Sequence, residues 1–196
     1  MGKVIVANHI TLDGVMQAPA RPDEDTRDGF TRGGWATVAG ADPDIPRLMG
    51  EGMGQVGAFL FGRRTYEDLY QAWGNRTDNP FSESFNKTPK YVVSTTLHEP
   101  LPWQNSTLLT GDPSEAVAQL KERTEENIII FGSGELIQSL MRGNLIDRFV
   151  LIIYPLALGA GRRMFPDGGA FARLRLVTMV STPKGVIVAT YDSAEG

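Results

Sequence analysis

Asn127-Ile-Ile-Ile-Phe-Gly-Ser-Gly-Glu-Leu-Ile-Gln-Ser-Leu140 passes from a strand pattern to a helix pattern across one glycine-rich turn. Ile128, Ile129, Ile130 and Phe131 are an unbroken apolar, mostly β-branched run of strand length, and Leu136, Ile137, Leu140 and Met141 share one face at helical spacing. A strand apolar along its whole length is one buried on both faces, as in a parallel sheet covered by helices. Between strand and helix sit Gly132, Ser133 and Gly134. Glycine lets a backbone approach a ligand, and the amides and dipole of a helix N-terminus attract phosphate. The turn reads either as an anion cradle or as a tight connection without a ligand.

Outward from this unit the same grammar repeats. Residues 3–8 and 56–61 are further apolar strand patterns. Gly62-Arg63-Arg64-Thr65 opens a helix whose Tyr66, Leu69, Tyr70 and Trp73 fall at i, i+3, i+4 and i+7. Residues 43–53 predict a short helix, 75–89 a loop, and 90–95 and 106–110 two more strands. Asp112-Pro113-Ser114-Glu115 has the residues of a capped helix start: aspartate at the cap, proline at the first helical position, a carboxylate in the first turn. Strand patterns at 148–154, 174–180 and 186–191 close the chain, the last two joined by the hairpin signal Thr182-Pro183-Lys184-Gly185. The order predicts one α/β domain over residues 1–196, alternating at first and antiparallel at its C-terminal end. Residues 15–42 are long and irregular, yet carry Phe30 and Trp35; they read as a lid or pocket wall.

Composition removes several classes of function. The 196 residues contain no cysteine and only two histidines, which excludes disulfides and thiolate chemistry and argues against a metal site. A formal net charge of −4 without a basic stripe argues against nucleic-acid binding. Apolar runs are too short to span a bilayer, and the first residues run into a strand pattern without signal-peptide anatomy, so a cytoplasmic protein is expected.

Three strand ends carry residues suited to phosphates: Gly62-Arg63-Arg64-Thr65, Ser94-Thr95-Thr96 and Gly132-Ser133-Gly134. In open α/β sheets ligands bind at the carboxyl ends of the strands. Guanidinium forks at a helix start suit a phosphomonoester. Taken singly, each cluster reads as ordinary capping or solvated charge; three together favour a nucleotide site. The dinucleotide fingerprint is incomplete, since Ile137 stands where a third glycine is required, and no P-loop occurs.

Phe61-Gly-Arg-Arg-Thr-Tyr-Glu67, Phe131-Gly-Ser-Gly-Glu-Leu136 and Pro155-Leu-Ala-Leu-Gly-Ala-Gly161 with Phe165 resemble the dihydrofolate-reductase-like family. The closer resemblance is to the branch of the C-terminal reductase domain of the riboflavin-biosynthesis deaminase-reductase. The Thr11-Leu12-Asp13-Gly14 turn and the loop from Gly29 to Trp35 are similar to those of stand-alone members. The resemblance implies a mixed, mostly parallel sheet flanked by helices and an NADPH site at the strand ends. Arg63, Arg64, Thr65, Ser94 and Thr95 would bind the 2′-phosphate and neighbouring phosphate oxygens. Gly132, Ser133, Gly134, Glu135 and Leu136, following Gly62 and its turn, would cradle the pyrophosphate. Ala7 would present backbone to the nicotinamide, and Gly14 would border its ribose. With no cysteine to build its zinc site, the deaminase domain of the bifunctional enzyme is expected to be absent, and Arg148 follows Asp147 where relatives usually carry an acid.

The implied reaction is hydride transfer to a heterocycle or imine, a ribosylamino-pyrimidine or a pterin. Protonating the nitrogen calls for an acid, for which Asp44 and Asp13 are the candidates; Asp13 reads equally as a turn aspartate holding amides. Phe30, Trp35 and Tyr66 are candidates for stacking on a flat substrate, although the apolar stripe assigns Tyr66 to the core. His9 reads as structural. A homodimer fits the family. Rival readings are a binding module that holds NADPH or a pterin without turnover, and an interaction protein on the same fold.

Overall fold

The strand–turn–helix unit folds as its pattern requires. In a computed structural model describing residues 2–37, 42–77 and 80–194, β5 (Asn127–Ile130) leads through the glycine turn into α5 (Gly134–Arg142). Ile128, Ile129 and Ile130 are fully buried, as are Ile137 and Leu140 on the inner face of the helix. Each such side chain contributes about 1.5–3 kcal/mol. Residues 38–41 of the expected lid and 78–79 of the expected loop lie outside the described residues.

Eight strands form one mixed sheet in the order β4-β3-β2-β5-β1-β6-β8-β7, where β1 is Val4–Thr11, β2 Val56–Gly62, β3 Lys90–Val93, β4 Ser106–Leu109, β6 Arg148–Tyr154, β7 Leu174–Ser181 and β8 Ile187–Ser193. The chain falls into two compact units, one of Met1–Ile5 and Gln55–Ile146, the other of Val6–Gly54 and Asp147–Gly196.

In the first unit β4, β3, β2 and β5 run parallel, with α2 (Arg63–Trp73), α3 (Pro80–Lys87) and α4 (Pro113–Arg123) as connections. The start of α4 follows its sequence signature: the Asp112 carboxylate accepts from Ser114 N at 2.9 Å and Glu115 N at 3.0 Å. Helix α3 occupies part of what reads as loop. Its signals are Pro80 at the first helical position and the Glu83–Lys87 pair one turn apart at 2.5 Å. Phe85 of α3 stacks on Phe59 at 4.4 Å and on Trp103 at 6.0 Å, and Tyr66 lies 5.9 Å from Trp103.

Lys90 lies fully buried below these rings. Its Nζ donates to Phe85 O at 2.7 Å, Thr88 O at 2.8 Å and Asn86 O at 3.4 Å, and sits 4.9 Å from the Trp103 ring centre. Burial lowers its pKa to about 8, which still leaves an ammonium at neutral pH. That cation satisfies carbonyls at the end of α3 that have no helical partner.

In the second unit β8 pairs antiparallel with β7, as the hairpin signal predicts, and also with β6. Helix α1 (Asp44–Met53) approaches β6 and β8 through Gly52, where a Cβ would fall 2.9 Å from both methyls of Val150. Arg148 finds its acid on the neighbouring strand, donating to Asp192 at 2.7 Å.

Replacing Lys90 with Met keeps the volume but strands two or three buried carbonyls. The Lys90→Met variant should lose roughly 2–4 kcal/mol in urea unfolding; a loss below about 0.5 kcal/mol would show the ammonium to be dispensable.

Candidate cofactor site

Parallel strands end at one edge of their sheet. Gly62 pairs with Val93, and Leu60 with Ile130, so the turns after β2, β3 and β5 leave the first unit side by side. Two of them are tied together. Gly62 N donates to Ser133 Oγ at 3.0 Å, Ser133 N donates to Thr65 Oγ1 at 3.0 Å, and Ser133 Oγ donates to Phe131 O at 2.9 Å. Gly132 and Ser133 both take left-handed conformations, each with φ of 54°. At Gly132 a Cβ would also lie 2.8 Å from Thr65 Oγ1. Glycine is needed there for the approach of the neighbouring helix, a reason separate from any ligand.

This latch holds the N-termini of α2 and α5 next to each other, and neither helix has a side-chain cap. Two helix starts of like polarity attract an anion. Arg63 reaches Glu67 at 3.6 Å while remaining half-exposed. Arg64 is exposed and makes no ion pair among the described residues. The Ser133 amide is spent on the latch, beside which the first turns of α5 and α2 begin. Ser94 departs from its expected role. Its Oγ accepts from Thr96 N at 3.1 Å and Leu97 N at 3.0 Å, so it shapes the turn after β3, while Thr95 is exposed.

The remaining expected residues belong mostly to the second unit. Ala7 is buried on β1, and Gly14 has φ of 77° with open space where a Cβ would point. Asp13 is a turn aspartate. Its carboxylate accepts from Thr11 Oγ1 at 2.5 Å, Gly159 N at 2.7 Å and Leu158 N at 3.1 Å. The Thr11 bond, aided by those amides, lowers its pKa to about 2. A carboxylate so held is a poor proton donor at neutral pH. Asp44 opens α1 and pairs with Arg47 at 3.3 Å on an exposed surface.

The three stacking candidates sit in different surroundings. Trp35 is 3 % exposed, donates from Nε1 to Gln17 O at 2.8 Å and meets Tyr154 edge-on at 5.4 Å. It packs the inside of its loop. Tyr66 is buried in the aromatic cluster of the first unit, its hydroxyl accepting from Trp103 N at 3.0 Å. Phe30 is nearly buried and explains Gly161, where a Cβ would fall 2.7 Å from its ring. One edge of Phe30 lines a cleft of about 350 Å³ with Arg27, Arg32 and Arg162. The loop is braced rather than hinged: Gln17 donates to Asp25 O and Arg27 O and accepts from Arg162 N at 2.8 Å.

A residue that the pattern concealed is Asp42. It is 9 % exposed and its Oδ2 has no partner among the described residues, while Oδ1 accepts from Asp44 N at 3.1 Å. Burial, and secondarily the Asp42 charge, raise the Tyr154 pKa to about 12. The Tyr154 hydroxyl lies 3.1 Å from His9 Nδ1, and burial lowers the His9 pKa to about 4, keeping that imidazole neutral. A carboxyl group near the Tyr154 ring, with one idle oxygen, can accept a hydrogen bond from a ligand N–H. Proximity to Pro43 and an irregular loop gave it no periodic signal.

The fold and this edge of the sheet define a class. Solved structures that the chain resembles include a protein of Shewanella sp. PV-4 assigned to riboflavin biosynthesis (TM-score 0.71, 20% identity, 100% of each chain). Another is a pyrimidine reductase-like protein of Corynebacterium diphtheriae (0.64, 13%, 100% of this chain and 93% of that one). A third is dihydrofolate reductase of Enterococcus faecalis in complex with NADP(H) (0.63, 12%, 99% and 98%). The fold is thus dihydrofolate-reductase-like. Residues 2–188 match the RibD C-terminal domain, and the chain belongs to that family. Family and fold together support a reductase. Among curated relatives, protein YyaP of Bacillus subtilis is 28% identical over 177 residues, covering 85% of this chain and 89% of its own. No helix among the described residues is long and apolar enough to cross a membrane.

The Asp13 geometry carries a pH signature. A carboxylate held at about 2 instead of its ordinary 3.8 stabilises the fold above pH 4, and that stability is lost as pH falls through 2. Asp13→Asn should therefore melt lower than the parent protein at pH 7, with the gap closing by pH 2. A gap independent of pH would remove the carboxylate from the account.

Proposed function

We propose that the chain is an NADPH-dependent reductase that delivers hydride to a small heterocycle or imine, of the ribosylamino-pyrimidine or pterin kind. The observation that carries this reading is the pair of uncapped helix starts, latched by Ser133 and Thr65 and flanked by Arg63 and Arg64. Their donor set fits the phosphates of NADPH. The α5 turn from Gly132 to Leu136 would hold the pyrophosphate with backbone amides, and Arg63, Arg64 and Thr65 the 2′-phosphate, with Thr95 beside them. Ala7 and Gly14 would border the nicotinamide end. Bound NADPH would supply the hydride.

The proton is the task of this chain's own residues. Asp42, with its idle oxygen, suits it better than Asp13, which is committed to a turn, or Asp44, which is paired on the surface. Asp42 lies close enough to Tyr154 to add to the rise in the tyrosine pKa, and an N–H of the substrate would give its idle oxygen a partner. The arginines at the 350 Å³ cleft suit an anionic substituent. Residues 1–196 are read as one domain, since the family match takes in both units. A cytoplasmic homodimer completes the reading. The alternative is a module that binds NADPH or a pterin without turnover, and titration with NADPH across a pterin and pyrimidine panel separates the two.

Two variants test the assignments. Changing Arg63 and Arg64 together to Ala should weaken NADPH about 10- to 100-fold, from lost charged hydrogen bonds, and leave NADH nearly unchanged; equal losses would sink the 2′-phosphate reading. With any substrate the panel reveals, Asp42→Asn should lower kcat by about 10²-fold or more without altering NADPH affinity. Full activity would return the proton to water or another acid.

A further inference from the structure

One residue of β1 is out of keeping with its strand. β1 lies inside the sheet, and among its residues His9 alone is half-buried where the others are buried. Val6 and Ala7 point to opposite faces and are both closed to solvent, so the strand is covered on either side. His9 shares the face of Ala7, two residues and about 7 Å further on. The cover over that face therefore opens above His9, towards the carboxyl end of the strand.

The ring is held from one side. Trp35 meets Tyr154 edge-on at 5.4 Å, and Tyr154 tilts against His9 with ring centres 5.6 Å apart. Tyr154 is buried, and its hydroxyl has His9 Nδ1, at 3.1 Å, as its one partner among the described residues. These two facts fix the proton on the imidazole. A neutral imidazole carries one N–H and one bare nitrogen, and burial keeps His9 neutral. If Nδ1 bore the proton, the tyrosine O–H would be buried without an acceptor, which is costly. Tyr154 therefore donates to Nδ1, and the His9 proton sits on Nε2.

That N–H has no partner among the described residues. His9 is thus structural on one edge and open on the other. Its free donor is uncharged and stands in a setting that disfavours the imidazolium, so it suits a neutral acceptor better than a phosphate or carboxylate. A carbonyl oxygen on a flat ring is such an acceptor.

We propose that His9 binds a ring carbonyl of the substrate through Nε2–H, and that Tyr154 is the positioning residue that fixes its tautomer. The ligand class is a lactam, as in a pterin or a uracil. The kind of substrate rests on the reductase reading above; the tautomer stands without it.

The chain has only two histidines, so nitrogen NMR of the full chain labelled at histidine, with His98→Gln to mark the second signal, reads His9 directly. At pH 7 the parent should show the Nε2–H tautomer, and Tyr154→Phe should let the Nδ1–H form appear. An Nδ1–H majority in the parent would overturn the proposal whatever the chain reduces. Saturating pterin or uracil should shift the Nε2 signal, whereas 2-aminopteridine, which lacks the ring carbonyl, should not. His9→Phe should weaken the lactam about tenfold, the worth of one buried hydrogen bond. His9→Gln, whose amide N–H reaches the same place, should restore most of that loss, and both variants should bind NADPH as the parent does. No shift with either lactam, or an equal loss for 2-aminopteridine or for NADPH, would overturn the assignment. Failure of the parent to bind NADPH would instead sink the reductase reading and leave the lactam contact standing.

Discussion

The carboxyl edge of the first unit depends on a hydrogen-bonded knot between two turns. Ser133 uses its amide on Thr65 and its hydroxyl on both Gly62 N and Phe131 O, so the helices after β2 and β5 cannot move apart without breaking these half-buried hydrogen bonds. Gly132 must be glycine to admit Thr65, and Ser133 must enter the left-handed region to turn its hydroxyl back. What the knot secures is electrostatic. It fixes two positive helix ends together and adds two guanidinium groups, one of them without a carboxylate partner among the described residues. A site prepared this way meets an anion with little reordering.

The second unit uses its polar residues differently. Asp13 and Gln17 brace the long loop against the segment around Leu158–Arg162, Trp35 ties the loop to itself, and their hydrogen-bonding capacity is taken up mostly by backbone groups. Asp42, like the Thr182 hydroxyl, keeps one buried oxygen without a partner among the described residues, and of the two it is the acid. An unmatched buried acceptor is costly, and a ligand N–H would remove the cost. The matched groups hold the loop's shape, and the Asp42 oxygen is left for a ligand.

Much of the first unit was legible from residue pattern. The apolar runs of β1, β2 and β5, the capped start of α4 and the glycine turn carry their geometry locally, and the parallel order follows from strand–helix alternation. The three strand-end clusters were legible as well, though the reason for Gly132 was not, since it lies in Thr65, far away in sequence. The same limit hid Ser94's commitment to its turn and the burial of Trp35, because a polar loop gives no sign that it folds back on its own tryptophan. Helix α3 escaped notice because its stabilising partners, Lys90 and Trp103, come later in the chain. Asp42 escaped because its importance rests on what does not bond to it.

The most direct measurement is hydrogen–deuterium exchange of the intact protein with and without NADPH. Slower exchange confined chiefly to the amides of residues 62–65 and 132–136 is the predicted result. Saturating NADPH that leaves those segments unchanged, or protects others instead, would contradict the account.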